Sequence, residues 1–275
     1  MAATEACAPA KVNLALHVTG RRDDGYHLLD SLVAFADAGD RLTVRLSDAP
    51  ALDLRGPMAA GVPAGDDNLV LRAARLMAAP VRVTLDKNLP AAAGMGGGSS
   101  DAAACLRAVA QLTGQALPDA ATLAGLGADV PVCLAARAAR MRGIGDDVTV
   151  LPDFPPLRAV LVNPGVAVPT GAVFAALERA DNAPMPATLP RWPDAGALID
   201  WLARQRNDLQ APAVARAPVI GAVLDALGAR PGCVLARMSG SGATCFGLFH
   251  DAAAARDAAA ALARPGWWVR AVTLR

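Results

Sequence analysis

Lysine is nearly missing from this 275-residue chain. Of its 26 basic residues only Lys11 and Lys87 are lysines, and the remaining 24 are arginines. Arginine serves most surface roles equally well, whereas lysine offers a compact point charge with three rotatable donors, so each survivor invites a functional question. Aromatic residues are scarce at 4%, and Tyr26 is the single tyrosine. Charge of one sign is also lacking: the net charge is +1 with both signs interspersed. That leaves nothing to draw the chain to nucleic acid or an anionic membrane. The five cysteines, at 7, 105, 133, 233 and 245, show no Cys-x-x-Cys or Cys/His ligand spacing. An odd set without a framework predicts reduced thiols in a cytoplasmic protein. The N-terminal apolar stretch has no basic residues before it and carries Glu5, which speaks against a secretory signal. No apolar run approaches membrane-spanning length. What is abundant is aliphatic material: a hydrophobic fraction of 54% is ample for a packed interior, and the length predicts two domains or one large one.

Along the chain, AKVNLALHV alternates, with Ala10, Val12, Leu14, Leu16 and Val18 on one face and Lys11, Asn13, Ala15 and His17 on the other. This predicts a half-buried strand whose polar face carries Lys11 beside Asn13. GRRDDGYHLLDS reads as turn-rich and RLTVRL as a second strand. DDNLVLRAARLMAA predicts a helix capped by Asn68 or an Asp before it. VRVTLDKNL predicts a strand running into LPAAAGMGGGSS, and the helix SSDAAACLRAVAQLTG should follow, ending at Gly114. LPDFPPL, residues 151–157, is the best linker, with three prolines in seven residues. Beyond it a strand, helices near 170–180, 194–205 and 213–228, two adjacent strands, a helix over 251–264 and a last strand follow. That order belongs to a split β-α-β fold.

Four glycines in five positions, Gly94 and Gly96 to Gly98, are a conformationally expensive way to leave a strand. A Walker loop needs a Lys before its Ser, and a dinucleotide fingerprint needs Gly where Ser99 stands, so neither motif is present. The physics they share remains: backbone N–H groups of such a turn, at a helix start, converge on phosphate oxygens. A tight turn alone needs only one or two glycines. A second loop, SGSGATCFG, contains Gly240 and Gly242; it either shapes a hairpin or packs beside the first loop. In GADVPVCL, Asp129 reads as a helix N-cap with Pro131 in the first turn, or as a carboxylate beside a phosphate cradle.

PAKVNLALHVTGRRDDGYH, LPAAAGMGGGSS, GADVP and SGSGATCF together resemble the GHMP kinases, over nearly the whole chain. Within that family, PAKVNL combined with GRRDDGYH is similar to the branch that phosphorylates the cytidyl diphosphate of methylerythritol in non-mevalonate isoprenoid synthesis. The resemblance implies an α+β fold of two domains, residues 1–153 and 154–275. The first would be like ribosomal protein S5 domain 2 and the second ferredoxin-like. It implies Lys11 and Asp129 as the catalytic pair, and a phosphate loop comprising Pro90, Ala91, Ala92, Ala93, Gly94, Met95, Gly96, Gly97, Gly98, Ser99 and Ser100. Asn68 and Lys87 fall in the adenine pocket. Tyr26 and Phe174 would clamp the cytosine while His27 bonds its edge, and Asn13 and Thr170 would line the acceptor pocket. ATP is the implied co-substrate, with Mg2+ for which Ser99 is the candidate ligand. A small-molecule partner follows, with no nucleic acid or membrane, in a monomer or homodimer. Thr170 as a cap, Phe174 as core and His27 as a surface residue are the plainer readings of those positions. Another GHMP kinase, acting on mevalonate or homoserine, and a non-catalytic S5-like nucleic-acid binder are the alternatives. The chain departs from its relatives at Ala91 to Ala93, Met95, Val132, Cys133 and Gln210.

Overall fold

The computed structural model describes residues 3–275, and they form two compact units that the chain enters more than once. The first holds the described residues up to Lys11, Ala38–Ala91 and Gly96–Ala136; the second holds Val12–Asp37, Ala92–Met95 and Arg137–Arg275.

Two long strands open the chain, β1 (Ala3–Arg21) and β2 (His27–Leu46), which pair with each other. The first unit continues with β3 (Ala51–Arg55), α1 (Leu69–Leu76), β4 (Val81–Asp86), α2 (Gly97–Thr113), α3 (Ala120–Leu126) and α4 (Val130–Ala135). Strand β4 pairs antiparallel with β2 from Arg41↔Asp86 to Leu46↔Val81, and parallel with β3. Val81, Val83 and Leu85 point inward at every second position and meet Leu42, Val44, Val70, Ala73, Leu106 and Val109 in one apolar cluster. The alternation is the strand period, and full burial of each aliphatic side chain contributes roughly 1.5–3 kcal/mol. Ala102, Ala104, Cys105 and Ala108 on α2 are small enough to let it lie close to α1. Gly114 closes α2 with φ 72° and its N–H on the carbonyl of Ala110.

The second unit adds β5 (Ala139–Gly143), β6 (Asp147–Val150), β7 (Leu157–Asn163), α5 (Thr170–Ala175), α6 (Ala195–Ala203), α7 (Gln210–Arg216), α8 (Val219–Gly228), β8 (Cys233–Met238), β9 (Cys245–Phe249), α9 (Ala252–Leu262) and β10 (Trp268–Leu274). Four of its strands lie in the order β10-β7-β9-β8 with every neighbour antiparallel. This is the split β-α-β arrangement expected for that half. The proline-rich segment connects β6 to β7 and lies inside the second unit, so it does not link the two units. The side-chain oxygen of Gln210 accepts from the N–H of Met238.

Two strand expectations need correction. Lys11, Asn13 and His17 are 5%, 4% and 2% exposed, so the polar face of β1 is as buried as its apolar face. Each of the three has a polar partner that makes burial tolerable. Strand β2 extends over His27–Leu46, not only RLTVRL, because Asp30, Ser31 and Asp40 are buried in it and break the apolar alternation. All five cysteines are free, and burial pushes Cys105 up to about 12 and Cys133 and Cys245 still higher. Buried and shifted upward, Cys105, Cys133 and Cys245 are protonated thiols without nucleophilic character at neutral pH. No helix among the described residues is long and apolar enough to cross a membrane.

Candidate functional site

The buried Lys11 ammonium lies 2.5 Å from the carboxylate of Asp129. Strand β1 supplies the lysine, and the residue before α4 supplies the aspartate. Asp129 has helical dihedrals, φ −87° and ψ −8°, and its side chain caps nothing. The capping geometry expected from GADVP is therefore replaced by an ion pair, with 31% of the Asp129 side chain still open to solvent. Gly96 adjoins the pair: a side-chain carbon there would lie 3.5 Å from both Lys11 and Asp129. The end of the glycine loop and the ion pair thus share one place.

Helix α2 starts two residues earlier than expected, at Gly97. Its N-cap Gly96 is left-handed, φ 60°, and offers no side chain to the first-turn N–H groups. Gly97 and Gly98 are inside the helix without positive φ, and an added side-chain carbon would come no nearer than 3.7 Å and 3.5 Å to any neighbour. Neither backbone conformation nor space requires glycine at those two positions, and alanine would favour the helix by about 1 kcal/mol at each. Ser100 is fully buried and donates to the carbonyl of Pro9, tying α2 to β1. Ser99 lies beside Gly127, its hydroxyl 3.6 Å from where a side-chain carbon of that glycine would be.

Lys87 and Asn68 occupy the same unit. Lys87 is 3% exposed and its ammonium donates to Asp40 and, at 2.7 Å, to Asp101. Burial pulls its pKa down, but the carboxylates of Asp101 and Asp40 outweigh this and hold it above the usual lysine range. Burial pushes Asp101 up to about 7, against the pull of Lys87. Asn68 caps α1, accepting from the N–H of Val70 at 2.9 Å, while its amide donates to the carbonyl of Pro63 at 2.6 Å.

In the second unit the two glycine loops pack together. The carbonyl of Ala93 accepts from the N–H of Thr244, and that of Gly94 from the hydroxyl of Ser239 at 2.9 Å. Gly94, φ 70°, passes so close that a side-chain carbon would fall 2.5 Å from the Ser239 carbonyl oxygen and 2.7 Å from that of Gly242. Gly240 and Gly242 therefore do more than turn a hairpin, since their loop seats residues 92–95. Met95 is buried, and Ala92 is left-handed at φ 50°. Ser239 also accepts from the N–H of Asn13. The Asn13 amide donates to Ser31 at 2.8 Å, while its oxygen is buried without a partner. Thr170 is inside α5, not its cap, and its hydroxyl meets that of Ser241 at 2.8 Å. His27 stacks on Phe174, ring centroids 4.8 Å apart and 27° between planes. Tyr26, on the turn before β2, is 61% exposed.

The structure thus draws in residues that were given no role from sequence: Asp40, Asp101, Ser31, Ser239 and Ser241. Only Asp101 carried a signal, its position directly after the two serines. For a divalent ion the donors are sparse, and among the described residues no three His, Cys, Asp or Glu side chains gather as ligands.

The GHMP kinases N terminal domain family matches residues 68–150, and the GHMP kinases C terminal family matches residues 173–266. The chain belongs to the GHMP kinase family of small-molecule kinases. This GHMP kinase is 58% identical to the 4-diphosphocytidyl-2-C-methyl-D-erythritol kinase of Cereibacter sphaeroides over 97% of both chains. It is equally similar to the enzyme of that name from Dinoroseobacter shibae, over 98% of this chain and 94% of the other. A crystal structure of 4-(cytidine 5'-diphospho)-2C-methyl-D-erythritol kinase superposes with a TM-score of 0.81 at 39% identity, covering 98% of this chain and 99% of that one. A homoserine kinase from Cytophaga hutchinsonii shares the fold at TM-score 0.64 and 19% identity.

Proposed function

We propose that this GHMP kinase transfers the γ-phosphoryl group of ATP to the 2-hydroxyl of 4-diphosphocytidyl-2-C-methyl-D-erythritol. Residues 1–153 form its N-terminal domain and 154–275 its C-terminal domain in this reading. The names of the relatives support the substrate. The observation that carries the chemistry is the 2.5 Å Lys11–Asp129 pair beside Gly96, at the end of a loop whose Gly97 and Gly98 the fold itself does not require.

In this reading the uncapped N–H groups at the start of α2 bind triphosphate oxygens, and the absence of side chains at Gly97 and Gly98 lets them approach. Asn68 and Lys87 serve the adenine, and the stretch from Pro90 to Ser100 wraps the phosphates. Asp129 accepts the proton of the 2-hydroxyl as its oxygen bonds to the γ-phosphorus, while the bond from that phosphorus to the bridging oxygen breaks and ADP departs. Lys11 holds the Asp129 carboxylate in place and supplies positive charge to the transferring group. Ser99 would help to hold Mg2+, which would supply charge neutralisation for the triphosphate. In the second unit Tyr26 and Phe174 stack the cytosine, His27 bonds its edge, and Asn13 and Thr170 line the acceptor pocket. The orphaned oxygen of Asn13 supports that assignment, because a buried acceptor without a donor suits a ligand hydroxyl. A coupled ADP-release assay over a panel of alcohols tests the reading. The cytidyl diphosphate should be turned over, and preference for mevalonate or homoserine would overturn it.

A further inference from the structure

Lys87 stands immediately before the glycine loop, and its partners stand on both sides of that loop. Asp40, from β2, accepts from Lys87 through one oxygen and from the N–H groups of Asn88 and Leu89, at 2.5 Å and 2.9 Å, through the other. Asp101 lies in the second turn of α2, on the far side of the loop, and accepts from the same ammonium. All three side chains are nearly inaccessible, Asp40 at 1%, Lys87 and Asp101 at 3%. Gly97 is next to them: a side-chain carbon there would be 3.7 Å from the Lys87 ammonium.

We propose that Asp40 and Asp101 are positioning residues for ATP binding, acting through Lys87 as a strut that fixes both shoulders of the glycine loop before the nucleotide arrives. Two acids share one cation, so the cluster is not a simple neutral pair built for stability. Two of the three lysine donors are committed to the strut, and one remains for a ligand. The division of labour is unequal. Asp40 makes three hydrogen bonds and joins strand to loop, whereas Asp101 makes one and leaves its other oxygen without a partner. A prepositioned loop spares the nucleotide the ordering of its own cradle, and such ordering costs appear in affinity rather than in the chemical step.

This inference rests on the loop being the triphosphate site, so its test separates the two claims. Lys87→Met and Asp40→Asn should raise KM for ATP by about tenfold or more, the scale of one charged hydrogen bond. KM for the cytidyl substrate should stay within about twofold. Asp101→Asn should be milder than Asp101→Ala, because the asparagine oxygen still accepts from Lys87. Deuterium exchange in the free protein gives a readout that needs no ATP: amides of residues 88–98 should exchange faster in Lys87→Met, with α6–α9 unchanged. Uniform loss of protection, with both KM values rising together, would reduce the cluster to core support and overturn the proposal. An unmoved KM for ATP in the strut variants, with Gly97→Val raising it, also overturns the strut. If Gly97→Val leaves it unmoved as well, the loop is not the triphosphate site, and the strut falls with that reading.

Discussion

The ammonium of Lys11 and the carboxylate of Asp129 lie 2.5 Å apart, although 118 positions separate them in the chain. Asp129 makes no cap bond, and this contact is what the side chain does instead. Asp129→Asn keeps an oxygen for Lys11 but removes the carboxylate that the proposed mechanism uses as base. It should lose some stability, because the buried Lys11 ammonium keeps only a neutral partner, yet fold and bind both substrates, and lose at least about 100-fold in kcat, the lower end for positioned proton transfer. Lys11→Ala should lose comparably, and the double variant should lose less than the product of the two, because the pair acts as one unit. A near-parental kcat for Asp129→Asn would leave catalysis to Lys11, the loop and the metal.

The loop glycines divide by what their surroundings tolerate. Gly94 combines φ 70° with backbone oxygens 2.5 Å and 2.7 Å from any added carbon, so Gly94→Ala should destabilise the fold by several kcal/mol, seen in urea melts. Gly97 has no such constraint. Gly97→Val should leave the melt unchanged or raised, since valine exceeds glycine in helix propensity. Its KM for ATP should nonetheless rise while that for the cytidyl substrate holds. Equal loss for both substrates would make Gly97 a structural glycine.

Much of this was legible before any coordinates, for reasons that differ by residue. Helix α1 announces itself through Asn68 and its apolar period, and α2 through its alanines and Gly114. Strands β3, β5 and β6 went unnoticed because each has at most five residues, too few to establish a period. Lys11 stood out through the scarcity of lysine, and Asp129 through its motif. Asp40 did not, because an aspartate in AGDRL looks like turn material until β4 delivers Lys87 to it. Ser239 and Ser241 looked like spacers between glycines, since their partners Asn13, Gly94 and Thr170 are distant in sequence.

His17 should make the fold acid-sensitive. Burial, with Arg206 adding to it, lowers its pKa below the usual histidine value of 6.5, despite Asp208, the Ala183 carbonyl and Asp30 acting the other way. The folded state therefore prefers neutral imidazole. Above pH about 6.5 this contribution is fully present, and it falls as the unfolded chain takes up the proton first. Urea midpoints should drop between pH 7 and pH 5, and His17→Asn should flatten that drop. An equal drop in both would place the acid sensitivity elsewhere, His27 being the other histidine with a lowered pKa.

The stack of His27 on Phe174 bears on the proposed cytosine clamp. Phe174 packs against the second unit's core, and its ring face is covered by His27 at 4.8 Å, while Tyr26 is left 61% exposed. A cytosine held between Tyr26 and Phe174 needs the place the imidazole now fills. Binding must break an aromatic contact of about 0.5–1.5 kcal/mol, and the freed His27 regains a hydrogen bond of about the same size at the base edge. The two nearly cancel, so His27→Ala should bind CMP within about threefold of the parent. The kinetics should still change. With the slot already open, association should quicken, and without the edge bond dissociation should quicken by a similar factor. Tyr26→Ala and Phe174→Ala have no such compensation and should weaken CMP by about 10- to 100-fold through lost stacking, with ATP affinity kept. Stopped-flow binding of CMP distinguishes these cases. Unchanged rates in His27→Ala would mean that the base never takes the imidazole's place on Phe174, and that the clamp is built from other residues.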